Sequence, residues 1–235
     1  MTLLSLQGLS KSFDGLDAVS DVNFTLSQGE VRALIGPNGA GKTTLVGMIC
    51  GRIEPSRGTV QFDGKDITKL PAHERIALGM AYTFQITSIF PRLPVRENVA
   101  LAARLRLKGK TAQEAVDQAL NTVSLMEESD EEAGNLSYGH QRLLEIAMGL
   151  VQAPRLLILD EPTQGLSEGE ISEFNTLIRD IAGGTTVLLI EHNMSVVMSI
   201  ADRISVMNAG RMLAEGTPEE VQANADVQAA YLGKG

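Results

Sequence analysis

The chain has one cysteine, Cys50, among its 235 residues, so no internal disulfide can form. A single unpaired cysteine suits a reducing compartment. Cys50 follows Val46 and Ile49, and we predict that it packs as a small buried side chain. Histidine is also scarce, with three residues, and this scarcity argues against a zinc site.

Long apolar runs and excess basic charge are lacking too. No run is long enough to cross a bilayer, and residues 1–10 have neither a basic region nor a small-residue cleavage site. We therefore expect a cytoplasmic chain. The formal net charge is -9. Because an acidic chain repels nucleic-acid phosphates and anionic lipids, we expect no nucleic-acid partner, and attachment to any membrane through another protein.

The composition that is present, with 43% hydrophobic and 21% charged residues, is ordinary for one globular domain with a sizeable core. An alternating run predicts a half-exposed strand at 22–26, and five further short segments, most of them largely apolar, are also predicted to be strands. These further segments are 31–35, 59–62, 80–84, 156–159 and 186–190.

Between these strands lies a long segment, 95–151, with no strong strand signal. Its apolar residues recur at helical spacing, with breaks at Gly109 and near Gly134 and Asn135. Strands that alternate with helices on both sides of this segment predict an α/β fold: a parallel-sheet core with an inserted helical subdomain.

A glycine-rich segment between a predicted strand and a predicted helix at 43–50 fits the pattern G-x-x-x-x-G-K-[ST] in full. Its residues are Gly36, Pro37, Asn38, Gly39, Ala40, Gly41, Lys42, Thr43 and Thr44. Glycines let backbone N–H groups face phosphate, and the helix N-terminus adds positive potential. The pattern predicts a site for ATP, with Lys42 on the β- and γ-phosphates and the Thr43 hydroxyl on Mg²⁺. A strand-to-helix turn without a ligand is the alternative.

Two acids, Asp160 and Glu161, directly follow the apolar run at 156–159. That position is the carboxyl end of a parallel strand, where open α/β sheets bind ligands. Phosphoryl transfer needs a carboxylate on Mg²⁺ and a group that activates water. We predict the first role for Asp160 and the second for Glu161. The alternative is an acidic helix N-cap.

The segment Leu136-Ser137-Tyr138-Gly139-His140-Gln141-Arg142 opens a helix, with Ser137 as its N-cap and Gly139 allowing close backbone approach. It resembles the signature motif of ABC proteins, although alone it could be a plain capped helix. The resemblance implies a P-loop NTPase with a RecA-like parallel-sheet core and an N-terminal antiparallel β-subdomain. Residues 1–235 would form one nucleotide-binding domain, with its core at 1–85 and 151–235 and a helical subdomain at 86–150.

The same resemblance assigns further site residues. Ser137, Tyr138 and Gly139 would contact the ATP held by the opposite subunit, so that a dimer encloses two nucleotides. His192 resembles the switch histidine at the γ-phosphate, and Gln85 resembles the glutamine that approaches Mg²⁺ and water and leads into the segment touching the membrane subunit. Phe13 matches the aromatic residue that stacks on adenine, with a core Phe as its alternative.

Several segments resemble the branched-chain amino acid branch of the family: 83–85, 90–91, 95–99, 191–194 and 227–233. This implies an ATP-hydrolysing subunit of an importer for branched-chain amino acids or related amides, at the cytoplasmic face of the inner membrane. Implied partners are transmembrane permease subunits, a second ABC ATPase in a homo- or heterodimer, and indirectly a solute-binding protein.

Three residues depart from the usual ABC pattern. Tyr138 replaces a glycine, His140 replaces a glutamine, and Ser167 stands where an aspartate is common. A soluble ABC ATPase, a transporter for another substrate and a phosphate-loop kinase are alternative functions. The kinase would leave residues 136–139 unexplained, and the presence of both Lys42 and Glu161 disfavours a module that only binds nucleotide.

Overall fold

The computed structural model describes residues 1–83, 88–104 and 107–232. Two sheets and a set of helices form an α/β fold, as predicted. Within the described residues, none of the helices combines the length and the apolar character needed to cross a bilayer.

The larger sheet has six strands in the order β10-β9-β3-β8-β7-β6. All neighbouring strands in it are parallel except β9 and β10. Every residue of β3, β7 and β8 is buried, as expected for central strands covered on both faces. The bounds are β3 Val31–Ile35, β6 Met80–Thr83, β7 Leu156–Asp160, β8 Thr186–Ile190, β9 Arg203–Asn208 and β10 Arg211–Gly216.

The smaller sheet is antiparallel, with the order β2-β1-β4-β5. Val22, Phe24 and Leu26 are buried while the residues between them are exposed, which confirms the predicted half-exposed strand. The buried face joins one hydrophobic cluster with α1 and the larger sheet. The bounds are β1 Thr2–Phe13, β2 Leu16–Ser27, β4 Arg57–Phe62, β5 Lys65–Asp66 and α1 Lys42–Ile49.

Between β6 and β7 the described residues form helices and no named strand, as the sequence predicts. The helices are α3 Val95–Ala103, α4 Gly109–Thr122 and α5 Tyr138–Leu150. Gly109 begins α4 with a φ of +60°, and a short 3-10 turn spans Ala133–Asn135, so both predicted breaks are confirmed. Buried apolar residues of all three helices share one cluster.

The remaining helices flank the larger sheet or follow it. They are α2 Ala72–Ala77, α6 Glu168–Ala182, α7 Met194–Ile200, α8 Pro218–Gln222 and α9 Ala225–Leu232. Cys50 is 8% exposed at the end of α1, in the cluster beneath the smaller sheet, which confirms its predicted packing.

Candidate functional site

The glycine-rich loop connects β3 to α1 at the carboxyl edge of the larger sheet. Lys42 Nζ donates to the carbonyl oxygens of Gly36 at 2.6 Å and Pro37 at 3.3 Å, so the ammonium lies inside the loop. Gly41 is the N-cap of α1 and offers no capping side chain. Since the first N–H groups of a helix have no intrahelical acceptor, the loop presents donors suited to an anion.

Two glycines of this loop differ in what surrounds them. Gly41 has a φ of +97°, and a Cβ there would lie 2.5 Å from the carbonyl oxygen of Ala18 in β2. Gly39 has a φ of +80°, but a Cβ there would meet nothing within 4 Å.

The β9–β10 turn also contacts the loop, since the Gly210 N–H donates to Ala40 O at 3.0 Å and Gly210 O accepts from Ser20 N in β2 at 2.8 Å. The loop is therefore held against both the smaller sheet and the β9–β10 turn.

The two predicted acids lie at the end of β7, at the same edge. Asp160 is 6% exposed and accepts a hydrogen bond of 2.7 Å from the Tyr82 hydroxyl. Burial, assisted by the charge of Glu161, raises the pKa of Asp160, while the Tyr82 hydrogen bond, Arg52 and Lys42 oppose that rise. Burial lowers the pKa of Lys42. The site thus holds buried negative charge next to a partly desolvated cation.

The N-cap alternative for these acids is wrong, because the next helix, α6, begins at Glu168 with Ser167 as its N-cap. Ser167 forms a capping box with Glu170. The departure at Ser167 therefore has a local structural role.

Glu161 leaves β7 with a φ of +49°, an uncommon conformation for a residue other than glycine. Its N–H donates to the Ile190 carbonyl at 2.9 Å. Glu161 Oε1 lies 3.9 Å from His192 Nδ1, so two residues with predicted catalytic roles meet at the ends of β7 and β8. The His192 side chain is 58% exposed and accessible to a ligand.

Ser137 is the N-cap of α5, and its hydroxyl accepts from the His140 N–H at 3.1 Å, as predicted. A Cβ at Gly139 would collide with the Glu170 carboxylate, and a Cβ at Gly165 would lie 3.1 Å from the Tyr138 ring. The signature segment thus packs on the segment that follows Glu161. Among the described residues, no hydrogen bond or ion pair joins positions 137–139 to the glycine-rich loop of the same chain.

Tyr138, which is 43% exposed, belongs to a polar network that runs along α5. Its hydroxyl accepts from Arg142 at 2.9 Å. Arg142 also donates to Glu145 at 2.9 Å, and Glu145 accepts from the Ser88 N–H at 2.5 Å. The side chains of Arg142 and Glu145 are 4% and 5% exposed. This buried pair connects the signature segment to residue 88.

The other predicted site residues have different outcomes. Phe13 ends β1 and is 45% exposed, with Lys11 Nζ 5.0 Å from its ring, so the alternative of a core Phe is wrong.

Thr43 is exposed and Thr44 is half-buried in the first turn of α1. Gln85 lies outside the described residues. His140 Nδ1 lies 3.8 Å from Glu128 Oε1.

Sequence reasoning missed three side chains around the site. Tyr82 holds Asp160, and Arg52 lies over the Tyr82 ring at 4.6 Å. Glu191, fully buried, accepts hydrogen bonds from Thr163 and from the N–H groups after it. A signal for Glu191 was present, because it follows an apolar run as Asp160 does.

Comparisons with known proteins point to one protein family. A family model described as "ABC transporter" matches residues 19–164, and one described as "Branched-chain amino acid ATP-binding cassette transporter" matches residues 211–235. The chain is 41% identical to the high-affinity branched-chain amino acid transport ATP-binding protein LivG of Escherichia coli (strain K12), covering 99% of this chain and 98% of that protein.

Two further similarities concern another relative and a solved structure. The lipopolysaccharide export system ATP-binding protein LptB of Haemophilus influenzae is 35% identical, over 100% of this chain and 98% of that protein. The crystal structure of the ADP conformation of MJ1267, an ATP-binding cassette of an ABC transporter, has a TM-score of 0.92 and 28% identity, and all of both chains is covered.

Proposed function

Because the chain belongs to the ABC transporter family and is an ATPase that powers transport, we propose that it serves an importer of branched-chain amino acids or related small amides. The observation that carries this proposal is the match of residues 211–235 to the branched-chain amino acid cassettes, together with the 41% identity to LivG. The LptB relative favours a second candidate, a subunit that drives lipopolysaccharide export.

For the chemistry, Lys42 and the amides of the loop 36–41 bind the β- and γ-phosphates of ATP. Lys42 is already directed into the loop by its bonds to the Gly36 and Pro37 carbonyls. A phosphate that replaces these carbonyls gives the ammonium a charged acceptor, which forms a stronger hydrogen bond than a neutral one.

The residues present fit a magnesium ion. Asp160 and Thr43 offer oxygen atoms, the ligands that Mg²⁺ prefers. The raised pKa of Asp160, caused by burial and by Glu161, indicates negative charge that a cation would offset. We assign Gln85 to the same ion on the family resemblance. When bound, Mg²⁺ would offset the negative charge of the triphosphate.

Glu161 activates the attacking water as general base, and His192 contacts the γ-phosphate. The 3.9 Å between Glu161 Oε1 and His192 Nδ1 supports these paired roles, because one ligand could contact both groups. Phe13, exposed at the end of β1, stacks on adenine.

A second cassette, identical or homologous, completes the site with its own Ser137, Tyr138 and Gly139. The start of α5 is an anion-binding helix terminus, and no described bond connects it to the glycine-rich loop of its own chain. Closure that assembles a site from two subunits makes hydrolysis depend on the dimer.

The permease contact lies beside residue 85, at the boundary of the helical subdomain that we place at 86–150. Thr83 and Ser88 flank that position and line a cavity of about 210 Å³, together with Met148 and Glu145. A cytoplasmic segment of a permease that enters this cavity would contact Glu145, the residue that accepts a hydrogen bond from the Ser88 N–H. The protein is then peripheral at the cytoplasmic face, and the solute-binding protein acts through the permease.

The catalytic assignment is tested with Glu161→Gln. This variant should bind ATP-Mg with unchanged affinity, hydrolyse it at least about 100-fold more slowly, and accumulate as a dimer in light scattering. Hydrolysis of ATP by this variant at the wild-type rate would contradict the assignment of Glu161 as general base. A variant that stays monomeric at saturating ATP-Mg would contradict the two-subunit site.

The importer assignment is tested by affinity capture of the tagged protein from gently solubilised native membranes, followed by mass spectrometry. Recovery of permease chains with an amino-acid-binding protein supports import. Recovery of lipopolysaccharide export components supports the second candidate. Recovery of no membrane protein, where a known ABC complex survives the same extraction, favours a soluble ABC ATPase.

A further inference from the structure

The loops that carry Glu161 and His192 are joined by one buried carboxylate. Glu191 directly follows β8 and has a side-chain exposure of 0%. Its Oε1 accepts from both the hydroxyl and the N–H of Thr163, the latter at 3.1 Å. Its Oε2 accepts from the N–H groups of His192 at 2.8 Å and Asn193 at 3.0 Å.

The distribution of these four donors is informative. Two belong to the segment that starts at Glu161, and two belong to the segment that starts at His192. Among the described residues, no Lys or Arg side chain forms an ion pair with Glu191, and the nearest basic side chain is that of His192, with Nδ1 at 3.9 Å from Oε2. A buried carboxylate is costly unless its oxygens are satisfied, so both segments must keep their positions for Glu191 to keep its acceptors filled.

A second bond supports the same connection. The Glu161 N–H donates to Ile190 O at 2.9 Å, directly before Glu191. That bond fixes the backbone of Glu161 but not the turn of the chain that follows it. Thr163, two residues further on, is 5% exposed and is fixed by Glu191 instead. The φ of +49° at Glu161 is an unfavourable conformation that such anchors on both sides can maintain.

We propose that Glu191 is a positioning residue that sets the distance between Glu161 and His192, using Thr163 as its contact on the neighbouring loop. It does not itself reach the nucleotide, because its side chain is fully buried. This inference rests on the proposed roles of Glu161 and His192 and adds the residue that maintains their geometry. Misplacement of reacting groups by about 1 Å can cost on the order of 100-fold in rate.

The test uses the full-length protein with Glu191→Gln, Thr163→Val and Thr163→Ser. The Gln variant keeps the shape but replaces one acceptor oxygen by an NH₂ group, which cannot accept a backbone N–H. We expect kcat for ATP hydrolysis to fall about 10- to 100-fold, with KM and the Kd of a non-hydrolysable ATP analogue changed less than about threefold. Thr163→Val, which removes one bond, should lower kcat about 5- to 20-fold, and Thr163→Ser should restore most of it.

Glu114→Gln is the matched control, since Glu114 is 66% exposed and pairs with Lys110 on the surface of α4. It should leave kcat and Tm unchanged. The double variant Glu191→Gln/Thr163→Val should be no slower than the slower single variant, because both changes break the same connection. If Glu191→Gln does not fold, Thr163→Val and Thr163→Ser still decide the matter.

Four outcomes would overturn the inference: wild-type kcat in Glu191→Gln, wild-type kcat in Thr163→Val, effects of the two changes that multiply in the double variant, or a fall in kcat accompanied by a comparable loss of affinity for the ATP analogue and a lower Tm. Glu161→Gln separates this failure from that of the proposed function. If Glu161→Gln is inactive while Glu191→Gln is fully active, only the positioning role is wrong. If Glu161→Gln is itself active, the catalytic assignment fails first.

Discussion

The buried ion pair between Arg142 and Glu145 leads to a quantitative prediction about stability. The two charges approach to 2.9 Å with side chains 4% and 5% exposed. At an effective dielectric constant of about 20, their attraction is about 6 kcal/mol, and it opposes a desolvation penalty of several kcal/mol per ion. Arg142→Met removes the attraction and leaves the penalty of Glu145, so we expect a loss of about 3–5 kcal/mol in the free energy of unfolding at pH 7.

This loss corresponds to a fall in Tm of about 6–20 °C for a chain of this length. The matched control is Arg104→Met, because Arg104 and Glu97 approach to 3.1 Å but are 64% and 46% exposed. Exposed pairs contribute about 0–1 kcal/mol. The measurement is urea denaturation followed by circular dichroism, with Tm from the same samples.

The effect of pH has a defined sign. Burial already raises the pKa of Glu145, although the Ser88 N–H and Arg142 oppose the rise. Without Arg142 the folded-state pKa rises further. When the pKa of a carboxyl group such as Glu145 is higher in the folded than in the unfolded chain, the group stabilises the fold below its unfolded pKa, near 4.5. That stability is lost as the pH rises through its folded pKa.

The deficit of Arg142→Met should therefore shrink from pH 7 towards pH 5, and Glu145→Gln in the same chain should recover part of it at pH 7. A deficit below about 1 kcal/mol, or one that is constant with pH, would refute the reasoning that Glu145 becomes an uncompensated buried charge.

Two further predictions concern α1 and the loop before it. Gly41→Ala should abolish ATP binding and lower the free energy of unfolding by more than about 2 kcal/mol, whereas Gly39→Ala should cost only about 1 kcal/mol of folding, because only its φ opposes a side chain. If denaturant titrations showed equal losses of unfolding free energy for Gly41→Ala and Gly39→Ala, the close approach of Gly41 to Ala18 would not be limiting. Cys50, whose pKa burial raises to about 12, should react with a thiol reagent at pH 8 roughly a thousandfold more slowly in the native protein than in urea; rapid labelling of the native protein would show that α1 opens.

The parts of the fold that were predicted from sequence are those with one dominant local signal. β3 is apolar except for Arg32, and β7 begins with four apolar residues; each strand lies before a loop with predicted site residues, and such runs occur where a strand is covered on both faces. The glycine-rich loop and the N-cap at Ser137 were predicted because their residue types are tied to particular backbone conformations.

β9 and β10 were not predicted. Only one residue of β10, Gly216, is fully buried, and a register shift interrupts its pairing between Met212 and Ala214. An edge strand of this kind shows no regular alternation, and its pairing with β9 places it in the sheet. Tertiary contact rather than local pattern determines such a strand.

The buried polar contacts near the site that the sequence did not predict share one physical cause. Arg142 and Glu145 are three positions apart on a helix, a spacing typical of exposed surface pairs. Their burial depends on where Ser88 and Tyr138 lie, which no local pattern encodes. The orientation of Glu191 towards Thr163 likewise depends on the pairing of β7 with β8.

The contacts of Gly210 with Ala40 and Ser20 bear on the entropy of nucleotide binding. A loop that is ordered only by its ligand loses conformational freedom on binding, and that loss subtracts from the affinity. Here one hydrogen bond from the β9–β10 turn, which is itself bonded to β2, and the close approach of Gly41 to Ala18 hold the loop in position independently of any phosphate. In the proposed binding mode, ATP meets a preorganised loop, so that more of the energy of its phosphate contacts is retained as affinity.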